Sequence, residues 1–265
     1  MKRSAILFLG LCVVIGLIIA ARPQIRMQKM IDFTANGQQI DFSLATKNIP
    51  QYTLAFRFRA DSFGHVTDPT LGKWGVPLML GDVSTVTFIA NNATTVKNIL
   101  FSQTFSTTSG AWRTNSAPPI GSYEQVVITY DATSTGNDPV IYINGAAVAT
   151  TEIQTPSGSA DTSLSGITIG SDGTKSFDGV LLDVRVYNRI LSAQEVSELW
   201  QMACVTSNDW GLVFHANLDG AAGIPDFQTP LAAENILVDR IGGATGVPTG
   251  GPVGASDVIM TWGGW

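Results

Sequence analysis

The chain has 265 residues, 45% hydrophobic and only 14% charged, with 27 glycines and a net charge of −6. That is enough apolar material for a full core and too little charge for a disordered or coiled-coil protein; many strands joined by turns fit it. No basic cluster stands out beyond Arg22, Arg26 and Lys29, which argues against a nucleic-acid partner.

Lys2 and Arg3 precede an unbroken apolar run from Ala5 to Ala21. A basic start and an apolar run make an export signal, here expected as an N-terminal hydrophobic helix. The expectation is an extracytoplasmic protein, secreted or membrane-anchored with its domain outside. The run is at the short end of the ~17–25 residues that span a bilayer and long for a signal-peptide core of about 7–15. Ile19 stands where a cleavage site before Arg22 would want a small residue, and Leu11 precedes Cys12 where a lipoprotein signal would want one. A retained anchor over residues 1–30 is the favoured reading, a cleaved signal the alternative. The second cysteine, Cys204, then stands alone. It is read as a small buried hydrophobe, with pairing between chains as the alternative.

From Ile31 the pattern is β. Asn36-Gly37 between IDFTA and QIDFSL is a hairpin signal. Tyr52, Leu54, Phe56 and Phe58 alternate with Thr53, Ala55, Arg57 and Arg59, predicting a strand with one buried and one solvated face. Residues 61–75, including His65, read as loop. Short strands follow at Val76–Leu80, Val86–Ala90, Ile99–Thr104 and Ala111–Thr114, with a glycosylation sequon at Asn92-Ala93-Thr94. YEQVVITYD and PVIYIN are strands, and Asn144-Gly145 turns the second into Ala146–Thr151 as a type I′ hairpin. Residues 154–163 read as loop, and ITIG as a strand.

FDGVLLDVRVY is another strand, with Val180, Leu182, Val184 and Val186 on one face. Ser192 and Glu195 have the spacing of a capping box, and Leu191 and Val196 that of a hydrophobic staple. Val196, Leu199 and Trp200 then follow helical spacing. Beyond the helix, WGLVFHANLDG alternates as a strand, and ILVDRIGGATG reads as a turn-bearing segment.

FDGVLLDVRVYNRILSAQEV resembles the closing motif of laminin G-like and pentraxin-like domains, within the concanavalin A-like lectin/glucanase superfamily. YEQVVITYD with IYING resembles the W-x-x-V-x-x-T-Y-D … I-Y-x-N-G core of that family, with Tyr123 in place of Trp. The resemblance implies an all-β, jelly-roll β-sandwich (concanavalin A-like) with one short helix after the closing strand. The tail resembles the strand and turn that normally open such a domain, although Arg240, Ile241 and Gly243 depart from that turn. Residues 31–265 are therefore expected to form one sandwich, with the tail 210–254 completing it by apparent circular permutation. A second, truncated domain and strand addition to a neighbouring subunit are the other readings.

No catalytic residue is nominated. Retaining glycosidases need two carboxylates about 5–5.5 Å apart, yet no E-x-D-x-x-E pattern occurs. Asp178 and Asp183, five apart, are expected to face opposite ways. Neither His65 nor His215 sits in a nucleophile motif, and no His/Cys cluster has zinc spacing. Relatives often bind calcium, and Asp131, Asn137 and Asp138 are the candidate ligands in one loop. Trp74 and Trp112 are the candidate rings for stacking on a sugar, with core or rim packing as the other reading of each; Trp262 and Trp265 form an aromatic terminus that could dock on a partner or pack on its own domain. The expected function is a non-catalytic extracellular binding module for a carbohydrate or a surface protein. The alternative is a structural subunit or decoration/adhesion protein of a surface assembly or virus particle; a homo-oligomer is compatible with either reading.

Overall fold

The computed structural model describes residues 26–68, 72–90, 97–201, 210–217, 237–238, 245–249 and 254–260, and side chains within 31–65, 75–89, 98–201 and 210–216. The expected N-terminal helix, both cysteines, the Asn92 sequon, Trp262 and Trp265 lie outside these. So do residues 239–244 of the expected tail turn. No helix among the described residues is long and apolar enough to cross a membrane.

The alternating apolar residues build two antiparallel sheets. One contains β1 (Arg26–Phe33), β3 (Gln51–Ser62), β9 (Tyr123–Asp131), β10 (Val140–Ile143), β11 (Ala146–Val148), β14 (Asp178–Tyr187), β15 (Leu212–Asn217) and β18 (Gly254–Met260). Its order is β11-β10-β9-β3-β14-β1-β18, with β15 also on β14. The other contains β2 (Gln39–Asn48), β4 (Val66–Asp68), β5 (Gly72–Leu80), β6 (Ser84–Ala90), β7 (Lys97–Gln103), β8 (Gly110–Thr114), β12 (Thr150–Gln154), β13 (Ser163–Ile169), β16 (Leu237–Val238) and β17 (Thr245–Thr249). Its order is β12-β8-β7-β6-β5-β13-β2-β17-β16, with β4 on β5. Leu54, Phe56 and Phe58 of β3 meet Phe88, Phe101 and Phe42 in one continuous core. The Phe58 and Phe88 rings lie 4.9 Å apart, and Phe42 meets Phe214 edge-on at 5.0 Å. A jelly-roll β-sandwich results, with α1 (Ala193–Gln201) as its one described helix.

Several expectations need correction. Asn36-Gly37 does not join a hairpin: β1 and β2 lie in different sheets, so the turn is a crossover between layers. Ser176 Oγ fixes it by accepting from Gly37 N (2.7 Å) and donating to Asn36 Oδ1 (2.9 Å). The segment after Asn144-Gly145 likewise splits. β11 pairs with β10 in one sheet, whereas β12 pairs with β8 in the other. Residues 61–75 are not all loop, because β4 pairs with the start of β5.

The outer face of β3 is not simply solvated. Thr53 and Ala55 are buried, Ala55 in a small cluster with Val127, Tyr187, Leu191, Val196 and Leu199 beneath α1. On β14, Leu182 is an extra residue: Leu181 pairs with Phe58 and Asp183 with Arg57. Such a bulge reverses the pleat parity. Leu181, Val184 and Val186 therefore enter the main core, while Val180 and Leu182 form a separate outer cluster with Tyr123. By that parity Asp178 and Asp183 share the outer face. About 15 Å of strand separates them, too far for a glycosidase pair.

Leu182 also marks where β14 changes partner. On the flank opposite β3, Phe33–Ile31 of β1 pair with Gly179–Leu181, and Leu212–Asn217 of β15 pair with Asp183–Tyr187. The remaining tail strands are also paired within the chain, β17 to β2 and β18 to β1.

Candidate functional site

The capping box is formed. Ser192 N donates to Glu195 Oε2 (2.7 Å), and Glu195 N donates to Ser192 Oγ (3.3 Å). Leu191 and Val196 share the cluster under the helix, as a staple requires. The last turn of α1 carries no basic residue, so its carbonyls need a cation from elsewhere. Arg57 of β3 supplies it, with Nη2 donating to Leu199 O (2.7 Å) and Trp200 O (3.0 Å). Gly145 touches this end too. A Cβ there would lie 3.2 Å from Ser197 Cα and Trp200 Cβ, so the Asn144-Gly145 turn serves both the β10–β11 hairpin and the helix seat.

The corner before α1 is held by Arg189. Its Nη2 meets Glu195 Oε1 at 2.7 Å, and its Nε donates to Trp210 O (2.8 Å). The guanidinium lies 5.9 Å from the Tyr187 ring centre and 4.9 Å from that of Trp210. The Arg189 hydrogen bond, with those from Ser192, holds the Glu195 carboxyl down at about 2.

One row further in, Asp183 Oδ1 takes His215 Nε2 at 2.8 Å and Oδ2 takes Arg185 Nη2 at 2.5 Å. The Asp183 side chain is 16% exposed and that of His215 9%. Burial pushes the Asp183 carboxyl up, but the His215 hydrogen bond and the Arg185 charge outweigh it and hold it below the usual carboxylate range. This cluster is an internal joint between β14 and β15.

The outer face of the ten-stranded sheet is the candidate ligand surface. Ile40, Phe42, Ile167, Ile169, Leu78, Leu80, Val86, Phe88, Ile99 and Phe101 point inward. The residues between them line the opposite face. Register puts Asp41 beside Thr168, Thr168 beside Met79, Met79 beside Thr85, and Thr85 beside Ser102. All five are half-buried. Thr168 Oγ1 donates to Asp41 Oδ1 (2.7 Å) and Gln39 Nε2 donates to Asp41 Oδ2 (2.9 Å). The result is a row in which the Asp41 carboxylate and the Thr168, Thr85 and Ser102 hydroxyls, with the Met79 thioether among them, stand one strand apart, able to hydrogen-bond several hydroxyls of one ligand. The period-two polar positions of β2 and β6 carried that signal in the sequence.

The residues nominated from sequence fall elsewhere. Trp112 is 1% exposed. Its ring stacks on Phe101 at 6.0 Å and tilts against Tyr130 at 5.2 Å, so it is a core ring and not a sugar platform. Trp74 lies in β5 opposite Ile89 and Val66; its side chain lies outside the described residues.

Asp131, Asn137 and Asp138 do share one loop, but each makes protein hydrogen bonds. Asp131 Oδ1 accepts from Thr133 N (3.0 Å) and Oδ2 from Gln51 Nε2 (2.9 Å). Asn137 Nδ2 donates to Asp131 O (3.0 Å), and Asp138 Oδ1 accepts from Trp112 Nε1 (2.7 Å). The Thr133 and Asn137 contacts are ordinary turn contacts, and those from Gln51 and Trp112 tie the loop to β3 and β8. His65 sits 3.2 Å from Phe33 O and 3.5 Å from Asp178 Oδ1, and Ser62 Oγ donates to Asp178 Oδ2. No group of three or more His, Cys, Asp or Glu that could hold a metal ion occurs among the described residues.

A sandwich of this order, with its closing strand leading into a capped helix, is a jelly-roll, a fold that hosts many functions. A laminin G-type family model, described as the concanavalin A-like lectin/glucanases superfamily, matches residues 34–197, and the chain belongs to that family. No curated protein matches it. Among solved structures, it is similar to a candidate carbohydrate-binding protein from Bacteroides ovatus, with a TM-score of 0.62 and 15% identity over 88% of this chain and 60% of that one. It is also similar to the native heptameric SAP-like pentraxin of Limulus polyphemus, with a TM-score of 0.48 and 14% identity over 66% of this chain and 81% of that one. At these identities the likeness is one of fold, and this chain spans 60% of the length of the Bacteroides protein.

Proposed function

We propose that the protein is a non-catalytic glycan-binding module, displayed outside the cytoplasm and tethered by residues 1–30, with residues 31–265 acting as one unit. The observation that carries the reading is the row Asp41–Thr168–Met79–Thr85–Ser102 across one sheet face, with Asp41 fixed between Thr168 and Gln39. Pre-positioned carboxylate, hydroxyl and amide groups suit a polyhydroxylated ligand. The Bacteroides protein of similar fold, itself a candidate carbohydrate binder, supports the same class. The basic start and apolar run of the N-terminus support display across a membrane. β15, β17 and β18 each have a partner strand in their own chain, which favours one self-contained sandwich over a tail strand held free for a neighbouring subunit.

The test is a printed glycan array probed with the full-length chain, wild type beside Thr85→Val and Asp41→Ala. Wild-type binding to a defined glycan set, weakened in both variants with unchanged thermal midpoints, supports the reading. No wild-type binding across the array overturns it. Protease applied to intact cells should digest the domain; protection until lysis would overturn the display outside.

A further inference from the structure

Trp210 is 77% exposed, the highest figure among the exposed large hydrophobic residues described. A large indole in water is normally free to turn, but here the backbone beneath it is held at several points and one ring face lies against a cation. Arg189 Nε holds its carbonyl, and the Arg189 guanidinium lies over its ring at 4.9 Å. Asn188 N donates to Gly211 O (2.8 Å), tying the next residue to the Tyr187–Leu191 corner. Gly211 has φ +80°, and a Cβ on it would stand 3.0 Å from both Asn188 Oδ1 and Arg189 Cδ. The close fit brings the Asn188 side chain alongside the residue that follows Trp210. Asn188 is itself exposed, and its carboxamide makes no hydrogen bond among the described residues.

We infer that Trp210 and Asn188 form a second glycan subsite on the helix side of the sandwich, where the indole stacks on the apolar face of a pyranose and the carboxamide hydrogen-bonds its hydroxyls. The inference rests on the glycan-binding reading above. It concerns the opposite sheet from the Asp41–Ser102 row. With one indole face against Arg189 and most of the residue exposed, the other face is open to a ring. Aromatic faces are partly negative and attract the polarised C–H groups of a sugar, and a carboxamide offers two donors and an acceptor for its hydroxyls. Arg189 and Glu195 do not contact the ligand in this scheme. They are positioning residues, and their ion pair fixes the ring before binding, which removes part of the ordering cost. Two subsites on opposite faces would let one molecule bridge two glycan chains.

The experiment probes the same printed glycan array with full-length wild type, Trp210→Ala, Trp210→Phe, Asn188→Ala and Thr85→Val. Trp210→Ala should weaken binding to at least one glycan class by roughly tenfold or more. Trp210→Phe should recover most of that loss, because a flat ring is retained. The thermal midpoint should stay unchanged in every variant at this exposed corner. Titration of a positive glycan should shift the indole N–H resonance of Trp210, identified by its disappearance in Trp210→Phe. Wild-type binding that is equal in Trp210→Ala, with no shift of that resonance, overturns the subsite while leaving the sheet-face reading intact. Wild type binding nothing on the array overturns the glycan reading and this inference together. Loss in Trp210→Ala without recovery in Trp210→Phe overturns the stacking role.

Discussion

His215 of β15 and Asp183 of β14 meet at 2.8 Å across a sheet junction, and Arg185 takes the other Asp183 oxygen at 2.5 Å. One carboxylate therefore neutralises a guanidinium and accepts from an imidazole where little water reaches. Asp183→Ala should destabilise the chain by about 3–5 kcal/mol, because Arg185 would stay buried without its counter-charge. Reversible chemical denaturation of the full-length chain measures this. A change within error would mean that the cluster is solvated and of little consequence.

Glu195 gives a pH signature. Its carboxyl lies at about 2 in the fold against an ordinary 4.5, chiefly through the Arg189 hydrogen bond. A depressed folded value stabilises the native state above the ordinary value, and the contribution fades as pH falls from 4.5 through 2. Glu195→Gln should therefore flatten the acid limb of the stability–pH curve and change little near neutrality in slope. An acid limb identical to wild type would count against the assignment.

Ser192→Ala removes the other half of the cap. The expected destabilisation is about 0.5–2 kcal/mol, read from the denaturation midpoint. Ser192→Asp should recover most of it, since Asp also accepts from the helix N–H groups.

Gly179 has φ +141°, and a Cβ there would stand 2.1 Å from Arg59 O and 2.9 Å from Asp61 N. Backbone atoms on the paired strand cannot step aside as a flexible side chain would. Gly179→Ala should yield insoluble protein or a large fall in thermal midpoint. A soluble variant with wild-type stability would show that β3 and β14 separate more easily than their pairing suggests.

Removing everything from Trp210 onward takes away Val213, Phe214 and Ala216, all in the main core. It also strips the β15 flank of β14 and the partner strands of β1 and β2. The truncated chain should aggregate, because open apolar edges pair with one another. A soluble, monomeric fragment as heat-stable as the full chain would mean that the tail is a separate module.

The fold was legible wherever local chemistry alone decides it. The period-two pattern from Tyr52 to Phe58, the Asn144-Gly145 turn and the Ser192–Glu195 box are each set by neighbours within a few residues. What stayed hidden depends on distant partners. Asn36-Gly37 has hairpin chemistry, yet Ser176, 140 residues away, holds it as a crossover. The Leu182 bulge leaves no mark in the Val180–Leu182 run, and it puts Leu181 in the core in place of Val180 and Leu182. Trp112 and Trp210 look alike in sequence; packing on Phe101 and Tyr130 buries one, and the corner around Arg189 exposes the other. The polar row on the ten-stranded sheet requires knowing that β2, β13, β5, β6 and β7 lie side by side, which no single strand reveals.

The two partners that share one flank of β14 impose an order on synthesis. β1 stands first and β15 and β18 stand late in the order of the described strands, yet all three belong to the same sheet. All the residues between β1 and β18 must be made before that sheet can close, so closing it carries a high loop-closure cost and is slow. Until then the flank of β14 from Asp183 to Tyr187 is an unpaired edge, exposed to any other nascent strand.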